Sequence, residues 1–539
     1  METERLVRYF DSAEYNRGGV DYLFECLELG RKFENPPAIT LILDQRVVDT
    51  GKPIDPRSIA ITTAYQCYSP GEPPMRERDG ERGNKVADAT LEAGHHTTRM
   101  HPAFTWRFSG ITRDATHEVF HQHPFYNSEQ QSQRYVKLES GAFLVPSDLS
   151  EKQREHFVSS AEFANMAYSQ LIQDLGPAIR ERVIAVNPKK WGQERYQEEL
   201  DRRTAKLCQE IARYAAPICQ KTVFYHTLNE ISLLRLFRAS QMENFSDESR
   251  FVIASMITEV LAVHPSFIKE LDMPLARREM ADEPKSSARE VKQEIDTILG
   301  GSRTKMIPLS PEQKKALMLA IRSVGGISLE PVLDPRVNPY IADTYDAGMH
   351  DPQTSSLRQM GITFVTKLSH TADSQRQRHR RTPGATPSNQ FNYTGIDYIT
   401  PMIIAQNPSI QDSYDNIMET MYENVETAIE MGIPKEIAYS LLPNAHAVRV
   451  VESGDLFDWI HRWKQRSCFR AQEEIFFATV SQMQQFLAEI PEAKHILQAP
   501  CGVRKRSGEK PFCPEGEMFC EHNVWTWEGL DRYETERTY

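Results

Sequence analysis

The sequence predicts an α+β fold: two related domains in tandem, each a small mixed or antiparallel sheet packed on long helices, followed by a cysteine-containing tail. Three observations predict it. One theme is written twice, as RFSGITRDATHEVFHQHPFYNSEQQSQRYV at 107–136 and as GITFVTKLSHTADSQRQRHR at 361–380, and internal repetition decides architecture before local propensity does. Each copy begins on or beside a short alternating apolar–polar segment, Ala103–Phe108 and Ile362–Lys367, which is the period of a half-buried strand. Apolar stripes at helical spacing lie between the copies, the clearest being Phe157, Ala161, Phe163, Met166, Ala167 and Leu171.

In chain order, residues 1–35 read as helix and connector. Pro37–Val48 and Ser58–Ser69 read as strand-rich or mixed, and Gly71–Gly83 as a polar Gly/Pro/Arg loop. A long helix is expected over Glu151–Arg180, with further helical stretches over Trp191–Cys208 and Ser232–His264. Leu275–Ser310 is charged, contains Ser and Gly and has few large apolar residues, so the inter-domain linker is placed there. Ser310 and Pro311 then open a helix over Pro311–Ser323, with serine as cap and proline at the first helical position. The expected boundaries are 1–274 for the first repeat, 275–310 for the linker, 311–489 for the second repeat and 490–539 for the tail.

Composition narrows the function. A chain of 539 residues has room for two to four domains with sizeable cores. A net charge of −12 argues against general nucleic-acid binding. No apolar run approaches the roughly 18 residues of a membrane span, so no membrane partner is expected. METERLVRYFDSAEY at the N-terminus has no signal-like apolar stretch. Eight cysteines in so long a chain do not form a disulfide framework, which places the expectation in a reducing cytoplasm.

The two copies keep different residues. The second has the basic triplet Arg378-His379-Arg380, where the first has His121-Gln122-His123; the first runs on to Ser132-Gln133-Arg134-Tyr135, which the second lacks. RHR, a short spacer and SxRY resemble the signature of the flavin-dependent thymidylate synthases. GIPKEIAYSLLPNA (432–445), RSCFRAQEEI (466–475) and ARYAAPICQKTVFYHTLNEISLL (212–234) resemble that family's distal segments. The resemblance covers about three quarters of the chain, as two tandem family domains. It implies an FAD-dependent methyltransferase that makes dTMP from dUMP, with methylenetetrahydrofolate as one-carbon donor and NADPH as reductant. No enzyme nucleophile is required; the protein must grip a small anionic nucleotide and polarise its ring, work suited to guanidinium groups.

The resemblance assigns dUMP contacts residue by residue. One side of the site is supplied by Ser132, Arg134 and Arg213 of the first repeat, the other by Gln375, Arg378 and Arg466 of the second. Arg378 and Arg466 are the catalytic candidates. The counterparts are lost in each partner repeat: Gln390 and Tyr439 replace the two arginines, and Glu118, His121 and Ser240 replace the second set. Pairing the repeats therefore regenerates one complete site per chain and one stripped site, and two chains are expected to form a homodimer that mimics a tetramer. FAD contacts are implied at Arg378, His379, Arg380, His95, Thr97, Asn229 and His461, while Gln353 and Asp455 depart from the family pattern. Two other functions stay open: C5 alkylation of another pyrimidine nucleotide, and a nucleotide- or flavin-binding pseudoenzyme.

Metal enters in two places. His117-Glu118-Val119-Phe120-His121 matches the HExxH zinc pattern, but it falls where the repeat's Gln and RHR should be, in a His-rich stretch. In the tail, Cys501, Cys513, Cys520 and His522 are candidate ligands for a structural zinc, without a CxxC knuckle.

Overall fold

The computed structural model describes residues 18–45, 54–66, 81–121, 125–139, 141–241, 245–271, 287–386 and 389–538. Its first sheet comprises β1 (Ala38–Leu43), β2 (Ala103–Thr112), β3 (Asn127–Gln130) and β4 (Lys221–Asn229), in the order β1-β2-β4-β3. The second comprises β5 (Thr304–Met306), β6 (Gly361–Ser369), β7 (Gly384–Ala385) and β8 (Ala447–Asp455), in the order β5-β6-β8-β7. Every pairing is antiparallel. The central pairs match in register: Ala103 faces Asn229 across β2 and β4, and Gly361 faces Asp455 across β6 and β8. Both sheets thus repeat one topology of small antiparallel strands with helices on their faces.

The expected long helix runs over Glu151–Val186, opened by a capping box at Ser150 and Gln153. Ser310 caps the helix Pro311–Ser323 in the same way, with proline in the first turn. Two expectations fail. Ser58–Ser69 reads as strand-rich or mixed, whereas its described part lies in the helix Pro56–Gln66; Ile59, Ala60, Ile61 and Ala64 are all buried, so it shows no amphipathic stripe. The expected linker is not a bare connector, because residues 287–310 carry the helix Ala288–Leu299 and the edge strand β5. Residues 272–286 and the polar loop at 71–80 lie outside the described residues.

The repeats do not pack as separate globules. One core joins Leu171, Leu175 and Ile179 of the helix Glu151–Val186 to Tyr414, Met418 and Met421 of the helix Pro408–Glu430. Between the two segments that precede β4 and β8, backbone bonds come in matched pairs. Ile218 N–H donates to the Leu442 carbonyl at 3.0 Å, and Asn444 N–H to the Ala216 carbonyl at 2.8 Å. Cys219 N–H donates to the Ser440 carbonyl at 2.8 Å, and Ala445 N–H to the Tyr214 carbonyl at 2.9 Å. Exchanging 218 with 444 and 216 with 442 maps the first bond onto its mate, so a local two-fold relates the segments.

The tail joins the second core through Val503, Val524, Leu530 and Tyr533. Tyr533 Oη accepts from Ala499 N–H at 2.7 Å, and Arg537 donates to the carbonyls of Phe469 and Ala471 at 2.6 and 2.8 Å.

A buried glutamate joins the repeats. Glu474 accepts from Ser369 N–H and Ser369 Oγ, both at 2.6 Å, and from Tyr214 Oη of the first repeat at 2.7 Å. Glu248 ties Thr112 in the same way but, among the described residues, has no tyrosine donor. Glu474→Ala strands three buried donors and is expected to lower unfolding free energy by about 3 kcal/mol or more. Denaturant titration at neutral pH should rank it above Glu248→Ala in damage; equal losses would contradict the inter-repeat role.

Candidate active site

The ends of β2 and β6 are built alike and give a frame for comparing the repeats. Thr112 and Ser369 close their strands and cap the turns that follow, each accepting from a backbone N–H three residues on at 3.1 Å. In the next position, Arg113 N–H donates to the Gln220 carbonyl at 3.0 Å and His370 N–H to the His446 carbonyl at 2.8 Å. Positions 113 and 370, 118 and 375, and 121 and 378 therefore correspond.

On one side of the local two-fold, arginines from both repeats converge. Arg134 donates through Nε to Glu210 at 2.8 Å and through Nη2 to the carbonyl of Arg470, in the second repeat, at 2.7 Å. Arg213 donates through Nε to the Glu210 carbonyl at 3.1 Å, and its Nη2 is buried without a partner. Arg466 donates through Nε to His379 Nε2 at 2.5 Å and through Nη2 to the Gln375 carbonyl at 3.4 Å. Arg378 is exposed. Ser132 Oγ accepts from Arg134 N–H at 3.2 Å and so shapes the turn carrying it. The Gln375 carboxamide oxygen is buried and unpartnered.

Among the described residues, Arg134 alone of these arginines has a bonded carboxylate. Burial, then repulsion from Arg462, Arg378 and Arg134, pushes Arg466 down to about 9. Arg213 is pushed down to about 10 by burial, which outweighs the attraction of Glu210; repulsion from Arg134 adds a smaller push in the same direction. Sequence reasoning missed Arg113, which lies within electrostatic reach of Arg213 and Arg378; burial and those two charges push it down to about 9. His379 is held neutral by burial and by Arg466, and a neutral ring can accept the Arg466 N–H. The cluster is a set of donors short of an anion.

The opposite side of the two-fold carries the other sign. Asp114, Glu118 and Glu248 approach one another, and burial followed by mutual repulsion raises Asp114 well above the usual carboxylate range. Burial is also the first cause that lifts Glu118 and brings Glu248 to about 7. Asn389 donates to Glu118 at 3.2 Å and to Asp114 at 2.7 Å.

Two cavities border the arginine side. One of about 280 Å³ is lined by Arg134, Arg202, Arg203, Lys206, Glu210 and Arg470. The other, of about 300 Å³, is lined by Arg113, Ser132, Gln133, Lys137, Glu139 and Lys221 among others.

The flavin candidates divide. Arg380 donates to Asn127 of the first repeat at 2.8 Å and lies 5.2 Å from the Tyr126 ring centroid. Asn127 faces Thr227 in β4, two residues before Asn229, so the second repeat's triplet approaches that candidate. Asn229 itself caps the helix Glu230–Ala239. His95 and Thr97 are exposed beside the short helix His96–Met100. His461 is already engaged, by Asp346 at 2.8 Å and Gln465 at 3.1 Å. Asp455 caps the helix Leu456–Arg466 and pairs with Arg358 at 3.2 Å, so its charge does not stand alone. Exposed Arg378 and half-buried Arg380 fit a cofactor bearing a pyrophosphate.

The zinc expectation for the tail is corrected. Among the described residues, no group of three or more His, Cys, Asp or Glu side chains is placed to hold a metal. The His522 ring packs 4.9 Å from Phe469 and 6.0 Å from Trp527, and Cys520 Sγ donates to the His522 carbonyl at 3.6 Å. Aromatic burial has claimed the imidazole. The HExxH pair does not converge either: His117 bonds Asp373 at 2.6 Å while His121 stacks on Tyr126 at 5.1 Å. The segment is a π turn, with His121 N–H on the Thr116 carbonyl, rather than the α-helix that motif requires.

The sequence profile of the thymidylate synthase complementing protein family matches residues 48–266 and again residues 320–492. The chain belongs to this family. Flavin-dependent thymidylate synthases of Clostridium tetani and Geobacter sulfurreducens are each 27% identical to it, over 219 and 222 residues, or 40% of this chain and 82% of each relative. A solved UMP/dUMP methylase from Streptomyces cacaoi, bound with 5-Br dUMP, aligns over 44% of this chain and 94% of its own. Its TM-score is 0.29 at 16% identity, too low to support a structural equivalence. Among the described residues, no helix of this family member is long and apolar enough to cross a membrane.

The acidic side predicts a pH dependence. A carboxyl raised in the folded state holds a proton that the unfolded chain releases, so its stability contribution is lost as pH rises from about 4 through its raised folded-state value. Asp114→Asn removes that loss. Its gain in melting temperature should be near zero at pH 4 and grow toward pH 8; a destabilisation growing over that range would contradict the repulsive arrangement.

Proposed function

We propose that this flavin-dependent methyltransferase converts dUMP to dTMP, using methylenetetrahydrofolate and NADPH, at one site per chain built from both repeats. The observation that carries the reading is the convergence of Arg134 and Arg213 with Arg378 and Arg466, with one bonded carboxylate among them. A site with that surplus of fixed positive charge suits a phosphorylated pyrimidine that gains negative charge as it reacts.

Ser132, Arg134 and Arg213 hold the phosphate. Arg466 faces a uracil carbonyl, and neutral His379 fixes it by accepting its Nε–H, which leaves the remaining guanidinium protons for the ligand. Arg378 completes the grip, and Gln375 offers an unspent carboxamide oxygen to a ring N–H. Negative charge that develops on the ring as C5 becomes nucleophilic is met by these preorganised donors. Reduced FAD, when bound, carries the one-carbon unit and the electrons. Arg378, His379 and Arg380 would hold it, with Asn229 beside them and with His95 and Thr97 from a second chain of a homodimer that mimics a tetramer. The two family units of each chain act as an obligate pair.

Turnover of full-length protein with FAD, NADPH, methylenetetrahydrofolate and dUMP, read as dTMP by mass, tests the reading. Arg466→Ala should lower kcat by about a hundredfold or more, as loss of a transition-state donor does. Arg134→Ala and Arg378→Ala should each abolish nucleotide binding, and mixing the two should restore nothing in an intrachain site. Product from UMP but not from dUMP would move the reading to another pyrimidine nucleotide; neither flavin nor nucleotide binding would leave a pseudoenzyme.

A further inference from the structure

Arg113 is the first residue after β2, and only 7% of it is exposed. Arg113 lines the cavity of about 300 Å³ that Ser132 also borders. Among the described residues it has neither a hydrogen-bond acceptor nor a carboxylate partner; the charges that act on it are those of Arg213 and Arg378. An ion so placed costs several kcal/mol unless something pairs with it. The other basic groups on the cavity wall are Lys137, exposed, and Lys221, half-buried, and its one carboxylate among the described residues is Glu139, exposed.

The second repeat shows that the fold does not require this charge. His370 occupies the same position, with the same strand end, the same serine or threonine cap and the same backbone bond to the partner strand. There the side chain is an imidazole held neutral by burial, packed 4.1 Å from the His117 ring, with both nitrogens unpartnered. A neutral ring serves the architecture at 370; a guanidinium at 113 serves something else.

We propose that Arg113 is a further phosphate contact of the nucleotide, acting from the cavity it shares with Ser132. This rests on the nucleotide-binding reading above and deepens it. Arg113 closes the phosphate from the end of β2, and a guanidinium fork is matched to two phosphate oxygens. Positioning of the phosphate thereby passes to a residue whose counterpart in the sister repeat carries no charge.

The test uses full-length, flavin-loaded protein, with calorimetric titration of dUMP and of deoxyuridine, and thermal denaturation without nucleotide. Arg113→Met should weaken dUMP binding by about tenfold or more, the range for a charge-assisted bond, and leave deoxyuridine binding unchanged. It should also raise the melting temperature of nucleotide-free protein, because an unpaired buried charge is gone. A residue with a purely structural role would do the reverse. Arg113→Lys keeps the charge and should fall between, and it carries the same comparison if the methionine variant does not fold. Unchanged dUMP affinity in the variants, or equal weakening of dUMP and deoxyuridine, would overturn the proposal while leaving the nucleotide reading intact. Failure of the unaltered protein to bind dUMP would overturn both.

Discussion

Buried guanidinium groups with few counter-ions govern this molecule. Arg113, Arg213 and Arg466 are largely removed from water and sit in the fields of other arginines; among the described residues Arg113 has no acceptor, Arg213 has the Glu210 carboxylate in electrostatic reach, and Arg466 leans on a carbonyl and a neutral imidazole. Water would solvate each far better than such surroundings do, so the cluster persists only because the rest of the fold holds it in place. Strand ends capped by Thr112 and Ser369, buried Glu248 and Glu474 beneath them, and the matched backbone bonds around Pro217 and Pro443 provide that hold. Binding an anion relieves what folding has imposed, which is how a preorganised site lowers the free energy of a charged transition state.

Duplication explains how one chain came to carry both signs. In a symmetric pair of identical units, every arginine gained at one site appears at its mate. A fused chain lifts that restriction, and here the two sides of the local two-fold have parted: guanidinium groups on one, Asp114, Glu118 and Glu248 on the other. The carboxylates are themselves forced together, and Asn389 bonded to two of them limits the strain. Each side destabilises the fold in its own way, and the shared core between the helices Glu151–Val186 and Pro408–Glu430 carries both.

Much of this was legible in the sequence. The repeat foretold two small sheets, and the stripe from Phe157 to Leu171 foretold the helix between them, because both signals rest on side-chain period. Arg134, Arg213, Arg378 and Arg466, which the family resemblance assigns to dUMP, lie within electrostatic reach of one another in a chain across the repeats, and their role is the proposal made above. What escaped lacked a period. Pro56–Gln66 is buried on nearly every side and so imitates an apolar strand, and three-residue β5 is too short to alternate. Arg113 looked like any arginine at a strand end; setting the repeats side by side, with His370 opposite it, was the available signal. The tail's Cys and His residues suggested zinc by composition alone, but the imidazole of His522 went to the aromatic cluster around Phe469.

The central claim is that one chain forms one anion site and that its acidic mate forms none. Equilibrium dialysis of flavin-loaded, full-length protein against labelled dUMP, carried to saturation, measures this most directly. One nucleotide bound per chain is the expected result. Two nucleotides per chain would contradict it.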